Sequence, residues 1–433
     1  MAGSLTAGTE VLIESIAAGG EGVGRLPDGR AVFVHRTAPG ERVMVDALVE
    51  HRRWARGRLA HIIEPSPDRR DAPCPLYERC GGCTLEHLHY PAQLAAKLRI
   101  VSDALSRIGK LEVEPSGIVP SPEEFRYRNR VTFTLRRLAP GRVVAGFHEL
   151  DNPGRILDID GRCLLPEEPL AVAWEQLRAG WGSGAAKLPA GKQLRLTLRA
   201  TADGAVSLVI DGGRGPGRPA ELLEAVPSLA AVWHRRNRSA ELVAGAAVVR
   251  DRWGDDEVEV SGDAFLQVNR AAAALLEQHV LELAGEVRGV RVIDAYCGVG
   301  LRGRRLARAG AEVMGIELSS AAVAEARRAA PDRVRFIEGR VEANLPTELP
   351  AELVIVNPPR AGLAAETCDA LLAEPPERVI YVSCDPATLA RDLRRLADGF
   401  TAESVRCFDL FPQTAHVETV VSLTRTRTEC ATT

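Results

Sequence analysis

The stretch Val290-Arg-Val-Ile-Asp294-Ala-Tyr296-Cys-Gly-Val-Gly300-Leu-Arg-Gly303 decides the fold of this chain. A short apolar run ends in an acid, and glycines at 298, 300 and 303 lead into residues of helical periodicity. Strand, glycine turn and helix start, in that order, let backbone amides approach a bound nucleoside closely. Further on, Glu312-Val-Met-Gly-Ile-Glu317 is a second apolar run ending in an acid, at the spacing where a carboxylate meets ribose hydroxyls. Val334–Ile337, Leu353–Val356 and Arg378–Val382 continue the alternation of buried strand and helix, and the helical run Ala271–Leu283 precedes it. Residues 263–433 are therefore predicted to form a doubly wound α/β domain. The glycine loop alone suits a dinucleotide or S-adenosylmethionine, and a nicotinamide-dependent oxidoreductase would use the same sheet.

The later loops favour the sulfonium cofactor. Asn357-Pro-Pro-Arg360 follows a strand near the middle of the sheet, where a rigid turn can hold a polar side chain at the carboxyl edge beside a reacting methyl group. Cys384, in Val382-Ser-Cys-Asp-Pro-Ala-Thr-Leu389, also ends a buried strand, so its thiol is expected over the cofactor crevice. Phe411-Pro-Gln-Thr-Ala-His416-Val-Glu418-Thr-Val leads to one more strand. A thiol and a carboxylate suit one demanding methylation. Carbon 5 of uracil is a poor nucleophile until a thiolate adds to carbon 6 and makes an enolate equivalent. After methyl transfer the carbon 5 proton needs a base, and β-elimination frees the thiol. Cys297, Cys368, Cys407 and Cys430 read as small buried hydrophobes.

Of the 433 residues, 45% are hydrophobic and 26% charged, and the net charge is −3. That composition excludes a disordered or fibrous chain. The small net charge means that any contact with nucleic acid must come from local patches. No apolar run is long enough for a bilayer, and Met1–Glu10 lacks the basic and apolar stretches of an export signal, so a cytoplasmic protein is expected. Thr9–Ser15, Ala31–Val34 and Arg42–Val49 alternate between Gly- and Pro-containing turns, and residues 1–67 are expected to close into a small OB-like barrel. Pro65–Pro75 has linker composition, and a helix is expected over Ala92–Ile108. Residues 68–262 otherwise read as mostly β, with Arg130–Arg136, Leu194–Ala200 and Val206–Ile210 the clearest strands and Gly212–Gly217 a turn.

Three of the nine cysteines crowd into Cys74, Cys80 and Cys83. Clustered thiols in a chain without an export signal point to metal chemistry. Zinc or an iron–sulfur cluster would need a fourth ligand, and Cys163, at a turn in Asp160-Gly-Arg-Cys-Leu, is the best candidate. Thiolate spacing does not choose between the two metals.

Tyr381-Val-Ser-Cys-Asp-Pro-Ala-Thr-Leu-Ala-Arg-Asp-Leu393 and Asp409-Leu-Phe-Pro-Gln-Thr-Ala-His-Val-Glu-Thr-Val420 resemble the RNA uracil-5 methyltransferase family, and the likeness runs over nearly the whole chain. The resemblance implies a Rossmann-like class I methyltransferase domain behind a TRAM barrel and a central domain. It implies Cys384 as nucleophile, Glu418 as base, and S-adenosylmethionine contacts from Gln267 (in Phe265-Leu-Gln-Val-Asn269), Tyr296, Glu317 and Asn357. Members with this cysteine spacing hold a 4Fe–4S cluster, here through Cys74, Cys80, Cys83 and Cys163. A cluster together with a TRAM barrel resembles the 23S rRNA branch more than the tRNA branch. The expected partner is RNA, and a monomer that binds no membrane is expected.

Two patches could serve such a substrate. His51-Arg-Arg-Trp-Ala-Arg-Gly-Arg58 lies in the barrel, and Arg126-Tyr-Arg-Asn-Arg130 with Arg136 and Arg137 lies in the central part. Guanidinium groups interleaved with aromatics suit phosphate contact and base stacking. Leu301, Arg340 and Asn357 depart from the family pattern, which has a polar loop residue, a small polar residue and Asp at these places. They bear on cofactor affinity and leave a non-catalytic iron–sulfur RNA-binding protein as the alternative.

Overall fold

The structure is a computed structural model that describes residues 8–236, 239–260, 262 and 266–426. The chain divides into two units, each built from segments distant in sequence. The first comprises Met1–Ile100, Glu123–Val249 and Phe411–His416; the second comprises Val101–Pro122, Arg250–Leu410 and Val417–Thr433.

The first unit begins with a closed barrel of strands β1 (Thr9–Ile16), β2 (Gly22–Arg25), β3 (Ala31–Val34), β4 (Arg42–Glu50) and β5 (Trp54–Glu64), in the order β1-β2-β3-β5-β4. Val11, Ile13, Val32, Val34, Val43, Val45 and Ala55 fill it, alternate residues of strands that each turn one face inward. Helix α1 (Tyr90–Ala104) follows and closes in a wider π-type turn, Leu105–Gly109, so the helix expected over 92–108 is present with a distorted last turn. Strand β6 (Ile118–Val119) comes next and belongs to the second unit.

The rest of the first unit is a seven-stranded sheet. It contains β7 (Arg130–Ala139), β8 (Arg142–His148), β9 (Ile156–Asp158), β10 (Gln193–Ala200), β11 (Val206–Asp211), β12 (Leu229–Arg235) and β13 (Ala240–Gly245), in the order β13-β12-β11-β10-β7-β8-β9. Two helices, α2 (Glu168–Gly180) and α3 (Pro219–Ala225), interrupt a segment expected to be mostly strands. In α2, Leu170, Ala173, Trp174 and Leu177 are buried at helical spacing, and Trp174 stacks on Phe133 of β7 with centroids 4.0 Å apart. The 3.6-residue period is present in the sequence but is short among strands.

The second unit holds a two-stranded ribbon, β14 (Val249–Trp253) and β15 (Asp256–Val260), then α4 (Arg270–Ala284) and the doubly wound sheet. In chain order the sheet region runs β16 (Arg291–Ala295), α5 (Leu301–Arg308), β17 (Glu312–Glu317), α6 (Ser320–Arg328), β18 (Val334–Glu338), α7 (Val341–Glu348), β19 (Leu353–Val356), α8 (Ala365–Ala373), β20 (Arg378–Ser383), α9 (Pro386–Leu396), β21 (Phe400–Phe408) and β22 (Glu418–Arg425). The sheet order is β18-β17-β16-β19-β20-β22-β21-β6. β16 to β20 are parallel, whereas β22 runs antiparallel to both β20 and β21. The order reverses between β16 and β19, which opens the crevice at their carboxyl ends where such sheets bind ligands.

Contacts inside the second unit also join residues on either side of positions 262 and 263. β6 pairs with β21, and Asp256 of β15 accepts from Arg305 at 2.8 Å and pairs with Arg308, both on α5. The expected start of the last domain, Asp263, and Phe265 lie outside the described residues. Among the described residues no helix is long and apolar enough to cross a membrane.

Candidate active site

The glycine loop leaves β16 and is pinned to the end of β17. Tyr296 and Cys297 donate their backbone N–H groups to Ile316 O at 2.8 and 3.2 Å. Tyr296 takes φ of 62°, Gly298 57° and Gly300 71°, left-handed conformations that tighten the turn. The Glu317 carboxylate accepts from Gly298 N at 3.0 Å and from Ser319 N at 2.8 Å. Each oxygen keeps a second lone pair for an outside donor such as a ribose hydroxyl. Beside it Leu318 is 64% exposed, an apolar side chain open to solvent directly after β17. Reasoning from sequence missed Leu318, although an apolar residue directly after an edge acid is the available signal.

Beneath the loop, Asp294 is fully buried and accepts from Arg302 at 3.3 Å, while Arg302 also binds Glu277 at 2.9 and 3.0 Å. Burial pushes the Asp294 carboxyl up to about 6, with Arg302 opposing the shift. Burial likewise raises the half-buried Tyr296 phenol to about 12. Arg340 is exposed at the start of α7 and pairs with Glu342 at 3.1 Å. Gln267 is half-buried just ahead of Asn269, whose side chain caps α4 by accepting from Ala272 N at 3.1 Å.

Asn357 stands at the end of β19, its N–H directed to Ala295 O at 3.3 Å. Cys384 follows β20 in a turn where Ser383 Oγ and the Asp385 backbone exchange hydrogen bonds. Asp385 then caps α9 by accepting from Ala387 N and Thr388 N at 3.0 and 2.9 Å. β22 lies against β20 with Ser383 opposite Thr419. Cys384 is the residue after Ser383 and Glu418 the residue before Thr419, so both adjoin the last paired positions of the two strands. Charge coupling agrees with this placement. Burial raises the Cys384 thiol, the Glu418 carboxylate raises it further, and the Arg360 guanidinium lowers it. Glu418 is 3% exposed, and burial pushes its carboxyl up to about 8 against the pull of Arg360. Thus the structure brings together the thiol, the carboxylate and a cation that sequence reasoning had not singled out.

Cys74, Cys80, Cys83 and Cys163 line one cavity in the first unit, walled by Tyr77, Phe125, Phe147 and Ile159. Burial raises all four thiols, Cys163 to about 12. Left alone, such thiols stay protonated, so their deprotonation calls for a bound cation. Glu86, not anticipated from the sequence, reaches the same cavity and accepts from Cys74 N at 2.7 Å. Arg36, from the end of β3, donates to Cys80 O and Cys83 O at 2.8 Å each and covers the Tyr77 ring at 3.5 Å, so it holds the cysteine segment in shape. Among the described residues no group of three or more His, Cys, Asp or Glu is arranged to hold a metal ion.

In the barrel, Trp54 stacks on His51 with centroids 3.8 Å apart. Arg52 and Arg53 are exposed, and Arg56 is tied to Glu21 at 2.7 Å. In the central sheet Arg137 spends its donors on Gly184 O, Ala185 O and Pro189 O, so it is a loop clamp. Arg136 donates to Gly154 O at 2.7 Å.

Comparison with known proteins fits this geometry. Residues 9–60 match the TRAM domain, 292–375 a methyltransferase domain and 339–426 the tRNA (Uracil-5-)-methyltransferase model. An uncharacterized RNA methyltransferase of Gloeobacter violaceus is 36% identical, the match covering 96% of each chain. One from Halalkalibacterium halodurans is 32% identical with the same coverage. This chain belongs to the RNA uracil-5 methyltransferase family. The crystal structure of Pyrococcus abyssi tRNA (uracil-54, C5)-methyltransferase with S-adenosyl-L-homocysteine aligns at a TM-score of 0.73 and 27% identity, covering 96% of this chain and all of that one. The family membership makes the chain an RNA methyltransferase, so the oxidoreductase and non-catalytic alternatives fall away.

Proposed function

We propose that this methyltransferase transfers the methyl group of S-adenosylmethionine to carbon 5 of a uridine in 23S rRNA through a covalent bond to Cys384. The observation that carries the reading is the β20–β22 pairing, whose last pair, Ser383 with Thr419, adjoins Cys384 and Glu418 at the carboxyl edge of the sheet. Bound S-adenosylmethionine supplies an electrophilic methyl. Tyr296, Glu317 and Asn357 stand on the loops of its crevice, and Gln267 is assigned to it by family likeness. The free lone pairs of Glu317 and the exposed face of Leu318 fit a ribose and an adenine.

The Cys384 thiol loses its proton to solvent, the thiolate favoured by Arg360 adds to carbon 6 of the uracil, and carbon 5 takes the methyl as its bond to the sulfonium breaks and S-adenosylhomocysteine is left. Glu418 removes the carbon 5 proton, and the C6–S bond breaks with return of the thiolate. A carboxyl held near 8 is a stronger base than an ordinary carboxylate, which helps with a carbon acid. Cys384 and Glu418 repel as anions, so both are mostly protonated near neutral pH and ionisation of one opposes ionisation of the other. The target base must leave its stack to reach this edge.

Family likeness favours a 4Fe–4S cluster over zinc for the four cysteines. A zinc ion would draw four sulfurs to about 2.3 Å from one point. Here all four thiols line one cavity, and the family likeness assigns such a set to a cluster. The reading keeps a three-part organisation, with 1–67 and its exposed Arg52 and Arg53 gripping RNA, 68–262 carrying the cluster, and 263–433 performing the chemistry in a cytoplasmic monomer.

The test is nucleoside analysis of 23S rRNA and tRNA transcripts after incubation with the enzyme and methyl-labelled S-adenosylmethionine. Labelled 5-methyluridine in the rRNA supports the reading. Label confined to tRNA would move the enzyme to the other branch, and label on another nucleoside would overturn it.

A further inference from the structure

Asp392 is a fully buried carboxylate in the catalytic unit to which the proposed chemistry gives no role. It lies on α9, and Thr388, Arg391 and Asp392 share one face of that helix by their three- and four-residue spacing. This face grips the loop that carries Asn357 and Arg360. The Thr388 hydroxyl reaches Arg360 O at 3.2 Å, Arg391 donates to Ala361 O at 2.7 Å, and Leu363 N donates to Asp392 Oδ2 at 2.7 Å. Gly362 has φ of 77°, and a Cβ there would come within 2.3 Å of Asp392 Oδ2, so the close approach depends on glycine.

The same carboxylate accepts from the Tyr381 hydroxyl of β20 at 2.9 Å and from Arg391 Nε at 2.9 Å. Asp392 is thus the node that joins a sheet strand, the helix behind the nucleophile and the Asn-Pro-Pro-Arg loop. Stability alone gives little reason for a buried charge, since apolar groups of similar volume often do as well.

We propose that Asp392 is a positioning residue, which clasps the 357–363 loop to α9 and so sets where the Arg360 guanidinium stands relative to the Cys384 sulfur. The proposal rests on the reading of Cys384 as nucleophile. Three charged groups face that thiol: Glu418 from β22, Arg360 from the clasped loop and Asp385 from the thiol's own turn. Arg360 favours the thiolate and the two carboxylates oppose it. Releasing the loop withdraws the cation, so less thiolate is present at neutral pH, and the deficit closes as pH rises.

The test uses the full-length enzyme, S-adenosylmethionine and 23S rRNA transcribed with 5-fluorouridine, because fluorine cannot leave carbon 5 as a cation and the adduct is trapped. The rate at which denaturation-resistant protein–RNA adduct forms is followed from about pH 6.5 to about pH 9.5. Two variants are compared with wild type: Asp392→Asn, and Thr388→Val, which keeps Asp392 and removes the hydroxyl contacts to Arg360 O and Asp385 O. Both should form adduct more slowly near neutral pH, and their rates should go on rising to higher pH than the wild-type rate does. A purely structural role lowers the rate by one factor at every pH. That result, or a wild-type profile for Thr388→Val, overturns the proposal even if Asp392→Asn folds poorly. Cys384→Ala, run alongside, should give no adduct; adduct from it would remove the nucleophile reading and this proposal together.

Discussion

Replacing Glu418 by Gln should change the pH dependence of stability in a calculable way. In the folded chain burial holds this carboxyl near 8, against an ordinary value of 4.5. Its folded value is raised, so the stability of the neutral form is fully present below about 4.5 and is lost as pH rises through 8. Between pH 6 and 7.5 the unfolded chain has released this proton and the folded chain still holds it. Each pH unit then costs about 1.4 kcal/mol, or roughly 2 kcal/mol over that interval. A unit of this size melts about 2–4 °C lower per kcal/mol, so wild type should lose some 4–8 °C relative to Glu418→Gln. The assay is the melting temperature of both proteins across the interval, with the wild-type slope minus the variant slope as the readout. The same proton controls chemistry in the opposite direction. Resolution of the methylated adduct needs the carboxylate, so its rate in wild type should climb with pH and level off above about 8, while Glu418→Gln accumulates adduct that survives denaturing electrophoresis. Parallel melting curves for the two proteins, together with resolution that does not change between pH 6 and 7.5, would refute the burial argument.

Anaerobically purified protein should be brown and carry about four irons, and Cys163→Ser should bleach it; a colourless protein with one stoichiometric zinc would contradict the cluster. Removing the side chains of Arg52, Arg53, Trp54 and Arg56 should weaken RNA binding and flatten its salt dependence, measured by filter binding at several salt concentrations. Most of that effect should come from Arg52 and Arg53, because Arg56 is already paired with Glu21. Asn357→Asp should remain active, since both side chains offer an acceptor oxygen to the crevice, and initial-rate assays should show no more than a modest change.

Much of the site could be read from strand ends. Asn357, Cys384, Glu317 and the glycine loop each follow an apolar run, and the rule that ligands gather at carboxyl ends puts them on one edge. The partnership of Cys384 with Glu418 could not be read that way. It arises because β22 inserts antiparallel between β20 and β21, and nothing in a single sequence states which strands pair or in what register. Arg360 was hidden for the same reason, as its guanidinium matters only once the loop is folded against α9. Asp392 and Glu86 look like ordinary solvated charges in sequence, and only packing reveals them as buried. In the first unit the sequence offered Cys74, Cys80 and Cys83 by their spacing and Cys163 as the fourth thiol, and the fold lines one cavity with all four.

The central claim is that Cys384 bonds to the uracil ring during methyl transfer. The most direct measurement is mass spectrometry of the nuclease-trimmed, protease-digested adduct formed with 5-fluorouridine rRNA and S-adenosylmethionine. The account predicts one modified peptide, spanning Cys384, whose added mass corresponds to a fluorouridine nucleotide plus a methyl group. A nucleotide found on another residue, or no adduct under conditions where the enzyme methylates unmodified RNA, would contradict it.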